Sequence, residues 1–267
     1  MAGLAEIYWV QFKTSLAVQL QYRASNLIWL IGRVVEPVMY LVVWSAVARA
    51  QGGSVGTFSP GDLAAYYILF MIVNQLTFSW IMWEYEYRIK DGLLAGLLLR
   101  PLHPIHQDIA DNLAYKVTTS TALLPVAVLL AFVFHPTFHS TWWGLLAFIP
   151  ALILAFVLRF TMDWTLAQSA FWTTRTSALN EFCFTLMFFL AGRLAPLDLF
   201  PKIVQQIGYL SPFRWMTYFP VEVALGRLSV QETITGLLAQ AFWIALSIGL
   251  LRLIWNAGIK QFSAVGS

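Results

Sequence analysis

An all-α membrane protein with six transmembrane helices is the fold class this sequence predicts, and three observations predict it. Of 267 residues, 59% are hydrophobic and only 11% charged, with a mean hydropathy of +0.70. A soluble domain carries about 25% charged residues, so the charge present could not clothe a globular surface, and lipid must be the solvent for much of the chain. Twelve Trp and ten Tyr suit the membrane–water boundary, where amphipathic rings collect. The apolar residues come in continuous runs of about 20, enough helix to cross a bilayer core, and do not alternate with period two as a membrane β-barrel requires.

Within a single transmembrane domain covering 1–267, the spans are expected over 24–47, 63–83, 113–134, 142–161, 178–195 and 235–255. Ahead of them, in 4–23, Leu4, Tyr8, Phe12, Leu16 and Leu20 share one helical face, with Glu6, Lys13 and Gln21 opposite. That pattern reads as an interfacial helix or as a polar-tipped extension of the first span. The Gly- and Ser-rich run from Gln51 to Pro60 is a loop, and Ser59-Pro60-Gly61-Asp62 starts the next helix. The most charged stretch, 84–116, joins spans two and three. Residues 135–141 carry no Lys or Arg, Asp163 to Ser177 with Arg175 joins spans four and five, and a Pro- and Gly-rich segment from Arg193 to Glu232 follows span five.

The bias of Lys and Arg in short loops orients such a chain. With the N-terminus in the cytoplasm, Lys13, Arg23, Arg88, Lys90, Arg100, Lys116, Arg175 and Lys260 lie inside, and the short outer loops hold Arg49 alone. Arg193, Lys202, Arg214 and Arg227 in the long segment run against that count. An even number of spans then puts both termini on the cytoplasmic side.

Several functions are excluded. The net charge of +3 comes without a dense basic patch, which speaks against nucleic-acid binding. The single cysteine, Cys183, allows no internal disulfide and no multi-cysteine metal site. His103, His106, His135 and His139 fall in two loops expected on opposite faces, so they are not expected to share a metal. Glu6, Gln11, Lys13 and Gln19 interrupt the first residues, which do not read as a cleavable signal peptide. The sequence holds no G-x-x-x-x-G-K-[ST], H-E-x-x-H or G-x-S-x-G pattern, and no inverted repeat is visible.

Three stretches remain that could carry mechanism. In 89–100, Ile89, Leu93, Leu94, Leu97 and Leu98 recur at helical spacing before Arg100-Pro101-Leu102-His103-Pro104 stops the helix. With Arg88, Lys90 and Arg100 at its rim, this helix could dock in a groove on a soluble partner, or lie on lipid as an ordinary loop helix. Gly92 and Gly96 are spaced as a helix-packing pair but sit in this segment, outside the spans. Ahead of and within 196–215, breaks at Gly192, Pro196, Pro201 and Pro212 leave pieces too short to span, which reads as a re-entrant pair of short helices or as a plain outer loop. In span one, Arg33 and Glu36 are one turn apart and could pair beside a kink at Pro37. They would line a path or a subunit seam, unless Arg33 snorkels to the interface. Arg159 and Asp163 read as an interfacial ion pair, and Glu181 as an interfacial residue.

Together these features resemble the membrane subunits of type-2 ABC exporters, the ABC-2 permeases. The resemblance covers nearly the whole chain. It rests on the N-terminal interfacial helix, the six spans, the segment Ile89-Lys-Asp-Gly-Leu-Leu-Ala-Gly-Leu-Leu-Leu-Arg-Pro101 and the broken segment Gly192…Pro196…Phe200-Pro201…Leu210-Ser-Pro-Phe213. It implies a bacterial inner-membrane exporter subunit whose 89–100 helix couples to a separate ATPase present in two copies. It also implies a second permease, identical or paralogous, forming a dimer in the lipid. No cofactor is expected on this chain, and no catalytic residue; ATP and Mg belong to the ATPase. The cargo class would be hydrophobic or amphipathic: a drug, a lipid or a glycolipid. The competing reading is a non-transporting membrane enzyme or assembly scaffold, against which stands the lack of clustered catalytic residues.

Overall fold

The computed structural model describes residues 3–173 and 176–262; Arg175, counted above toward the cytoplasmic side, lies outside them. Among the described residues the chain is helical, and pairing of extended backbone is limited to one bridge between Val55 and Phe58. Helix α1 (Leu4–Gln21) meets α2 (Arg23–Ala50) at Tyr22, and α3 (Pro60–Thr77) is followed by α4 (Ile81–Lys90) and the short α5 (Leu93–Leu98). The long α6 (Pro104–Phe134) and α7 (Trp142–Ala167) come next, the latter running into a 3-10 turn at Gln168–Phe171. After α8 (Ser177–Leu190) stand α9 (Lys202–Leu210), α10 (Phe213–Met216) and α11 (Tyr218–Leu225), and α12 (Val230–Gly258) closes the fold.

Local chemistry sets several boundaries. Helices α3 and α12 open on reciprocal caps: the Asp62 N–H donates to Ser59 Oγ while the Ser59 N–H donates to the Asp62 carboxylate, and Ser229 with Glu232 repeats the arrangement. Such boxes satisfy donors that a helix start leaves open. Pro196, Pro201 and Pro212 each stand immediately before a helical segment, where a fixed φ is tolerated and no N–H is needed.

Five segments are long and apolar enough to cross a bilayer: Ala24–Ala50, Pro60–Lys90, Pro104–Phe134, Trp142–Phe171 and Val230–Gly258. The remaining expected span, 178–195, is the 14-residue α8. At 1.5 Å per residue it is about 21 Å long, short of a ~30 Å hydrocarbon core. The chain turns at Gly192, where φ is +75° and an added Cβ would lie 2.3 Å from the Tyr66 hydroxyl. The expected span 63–83 is interrupted at Phe78-Ser79-Trp80, and the expected helix 89–100 is divided at Gly92, whose φ of +71° glycine adopts without a Cβ penalty. Ile89 and Lys90 therefore end α4, and Arg100 lies beyond α5.

Helix α3 sits at the centre, with α2, α6, α7 and α11 packed around it. Every residue of α11 is buried, so this short helix is part of the core. Helix α1 packs along α6: the Tyr8 hydroxyl lies 2.6 Å from His106 Nδ1, and Ser15 donates to Asp111. Tyr8, Phe12 and Leu16 face inward, whereas Leu20, expected on the same stripe, is exposed beside Trp9, Val10 and Val18. Helix α12 closes on α7 and α10 through buried Gln240, which donates to the carbonyls of Ala151 and Trp215. Both described chain ends lie on one face of the bundle, the terminal face, where Tyr8 meets His106 and Phe262 packs on Phe171. The opposite, loop face joins Thr57 to Arg227 and Gly61 to Thr137.

Close packing makes α12 sensitive to single methyl groups on one side only. A Cβ at Gly236 would lie 2.1 Å from the Phe219 ring, whereas one at Gly249 meets nothing within 4 Å. Gly236→Ala is expected to destabilise the protein by about 1–3 kcal/mol, and Gly249→Ala to be neutral or slightly stabilising; thermal unfolding of the two variants in detergent measures the contrast.

Candidate site at the broken second span

The α3–α4 break is where the bundle concentrates its charge. Phe78 is extended, so the helix gives up carbonyls that need other donors. Lys116 of α6 supplies one: its Nζ lies 2.7 Å from the Phe78 oxygen and also reaches Asn112. Asn180 of α8 donates to the Met82 carbonyl, and Ser79 donates to Asp163 at 2.7 Å. Arg159 of α7 donates to Asn74 at 2.8 Å and Thr77 at 3.1 Å. Arg33 of α2 donates to Gln75 at 2.7 Å, and Gln75 donates onward to Thr119. The Phe78 ring takes the Arg33 guanidinium at 3.9 Å and that of Arg159 at 5.2 Å. Cations from three helices thus converge on one residue of the break.

This arrangement differs from the sequence expectation at several residues. Arg33 and Glu36 do not pair: Arg33 turns to α3, and Glu36 binds Arg193. Arg159 and Asp163 are both buried, and each bonds to the α3–α4 break, so they do not form an interfacial pair. Lys116, counted among the cytoplasmic loop charges, is buried within the bundle. Glu181 is exposed.

Arg193 is the residue that sequence reasoning left out of the site. Tyr66 donates to the Gly192 carbonyl at 2.6 Å, while Tyr67 and Trp44 both donate to that of Leu194 at 2.8 Å. Three rings therefore hold the turn on either side of Arg193 and deliver its guanidinium to Glu36. Arg193 Nε donates to Glu36 Oε1 at 2.7 Å and Nη2 to Oε2, a fork-to-fork pair. The available signal was a lone Arg directly after a helix-breaking Gly in an apolar run. Between α2, the break and α8 lies a cleft of about 380 Å³ lined by Trp29, Arg33, Glu36, Trp80, Trp83 and Arg193, among others.

On the terminal face, α5 is keyed to the bundle. Leu94 is fully buried against Ile81, Tyr85, Phe160 and Trp164, and Ile89, Leu97 and Leu98 pack around that cluster. Leu93 and Leu99 face outward, 59% and 89% exposed. Helix α4 is tethered twice: Arg88 Nη1 lies 2.6 Å from Asp108 Oδ1, and Glu86 accepts from the backbone and hydroxyl of Thr176. Asp108 also accepts from Trp164 Nε1 at 2.8 Å. His103 forms a cluster of mutually tilted rings with Trp164 and Trp255 and accepts the Ile105 N–H at the start of α6. His135 and His139 belong to the opposite face, where His139 pairs with Asp62 at 3.3 Å.

Two predictions come from this nest. Asp108→Ala leaves the buried Arg88 with the exposed Glu84 as its remaining carboxylate partner and is expected to cost about 2 kcal/mol; adding Arg88→Met should recover much of the loss in the same thermal melt. Burial, aided by the neighbouring His106, pushes the His103 imidazole below its usual value of 6.5. The unfolded chain then binds the proton more readily, so stability is complete above pH 6.5 and falls as pH drops below it. His103→Asn keeps a capping acceptor that does not titrate, so its melting temperature should fall less than that of the wild type between pH 7.5 and 5.5.

No curated protein matches the chain. The family described as ABC-2 family transporter protein matches residues 34–266, from the middle of α2 to beyond α12. That match spans all five long apolar segments in whole or part, the broken second span and the turn at Gly192, and on it the chain belongs to the ABC-2 family of membrane transporter proteins.

Proposed function

We propose that this protein is the membrane-spanning subunit of an ATP-driven exporter, moved by a separate cytosolic ATPase bound in two copies. Support comes from the family together with one observation: α5 is fixed to the bundle by Leu94 while Leu93 and the residue that caps its end, Leu99, face solvent. Exposed leucines on an anchored helix are what a groove on a partner can grip, and anchoring lets the grip transmit force. Lys90 and Arg100 lie at the edges of this patch, where they could meet acidic groups on the rim. In this reading the terminal face is cytoplasmic, and the protein resides in the bacterial inner membrane.

ATP and Mg²⁺ belong to the ATPase, because this sequence has no loop to cradle phosphates. Nucleotide binding would favour one arrangement of two permeases, identical or paralogous, over another, and so shift their populations. The translocation path would run along the permease seam beside α2, α3 and α8, with Arg33 and Glu36 at its wall. The cargo class is hydrophobic or amphipathic, in keeping with a cleft walled by Trp29, Trp80 and Trp83. Replacing Leu93 and Leu99 together with Asp is expected to reduce ATPase recovery in a pull-down at least tenfold, the loss expected when buried apolar anchors are removed, without changing the thermal melt of the permease. Undiminished recovery would remove α5 as the docking element.

A further inference from the structure

The cleft beside α2 carries more positive than negative charge. Arg33 and Arg193 line it, with Glu36 as the acidic group among its lining residues. Glu36 is committed to Arg193 through two hydrogen bonds. Arg33 is left with neutral Gln75 on Nη1, while its Nη2 is buried and makes no hydrogen bond to the described residues. Behind it, Lys116 and Arg159 approach the same Phe78, and Asp163 is the nearby acid. A guanidinium does not shed its proton in a protein, and one held in a low dielectric without a carboxylate favours an anion.

The aromatic walls narrow the ligand further. Their flat apolar surfaces would also suit an organic cation, but the chain's own cations already occupy several of them. Arg33 lies 5.5 Å from the Trp80 ring as well as against Phe78, and Arg193 lies 4.6 Å from the Phe184 ring. A cationic ligand would have to displace these groups against like charge. We propose that the cleft is a binding site for an amphipathic anion, with its acidic head on Arg33 and its apolar body against Trp29 and Trp83. Its assignment as cargo rests on the transport reading; the binding itself does not.

The test uses purified permease in a nonionic detergent and two matched probes: dansyl-undecanoate and the same dansyl chain ending in trimethylammonium. Saturable binding is expected for the anionic probe and weaker binding for the cationic one. Arg33→Gln should weaken the anionic probe by about tenfold, the scale of one charge-assisted contact. Glu36→Gln frees Arg193 and should tighten the anionic probe several-fold, a gain that a partly misfolded variant cannot produce. Equal or tighter binding of the cationic probe, or no response to either substitution, would overturn the proposal. Displacement of the bound probe by phosphatidylglycerol, but not by phosphatidylcholine, would identify a leaflet lipid as the source of the anion. No displacement by either would identify a soluble single-chain amphipath; both outcomes keep the anion site. If the probe binds as expected but no ATPase is recovered with the permease, the transport reading fails and the site stands.

Discussion

A helix that breaks inside a bilayer exposes backbone carbonyls that water cannot reach, and each must find a donor within the protein. The architecture around α3 is organised by that need. At the α3–α4 break the donor is the Lys116 ammonium on the Phe78 carbonyl, and the Asn180 amide adds a bond to the Met82 carbonyl in the first turn of α4. At the Gly192 turn they are the hydroxyls of Tyr66 and Tyr67 and the indole of Trp44. These donors come from α2, α3, α6 and α8, so satisfying the two irregular stretches also fixes how those helices stand relative to one another. Gln240 does the same for α12, drawing it onto α7 and α10.

The solution has an electrostatic consequence. Lys116 enters the bundle as a backbone cap rather than as half of an ion pair, and Arg33 and Arg159 are held by amides, hydroxyls and an aromatic face. Neutral partners satisfy the donors of a guanidinium but not its charge. The bundle therefore keeps a positive centre beside a cleft whose acid is already paired. Stability of the broken helix and the character of the cleft have one origin.

The same break connects the cleft to the terminal face. Ile81, Tyr85 and Leu94 are successive members of one packed cluster running from the start of α4 to α5, and Trp80 and Trp83 on the same stretch wall the cleft. Arg88 and Glu86 bind this column to α6 and to the start of α8. Leu94 of α5 is thus packed directly on the helix whose first turns also carry the tryptophans of the cleft wall.

Composition and long apolar runs determined by themselves that the chain is helical and membrane-embedded, because low charge and span length are properties of segments, independent of their neighbours. Local chemistry was equally readable at Ser59-Pro60-Gly61-Asp62, where a cap depends on residues three apart. The partners of charges were not readable. Arg33 and Glu36 are one turn apart, and sequence offered them to each other, yet each is claimed by a residue far along the chain, Gln75 and Arg193. The interruption at Phe78-Ser79-Trp80 carried no Gly or Pro to announce it, since Lys116 and Asp163 hold it from other helices. Likewise Leu94 and Leu93 are adjacent and chemically identical, and only the packing of α5 on Trp164 decides which is buried and which is bare. Segment properties are additive along a sequence, whereas the choice among possible partners is made by the geometry that brings distant helices together.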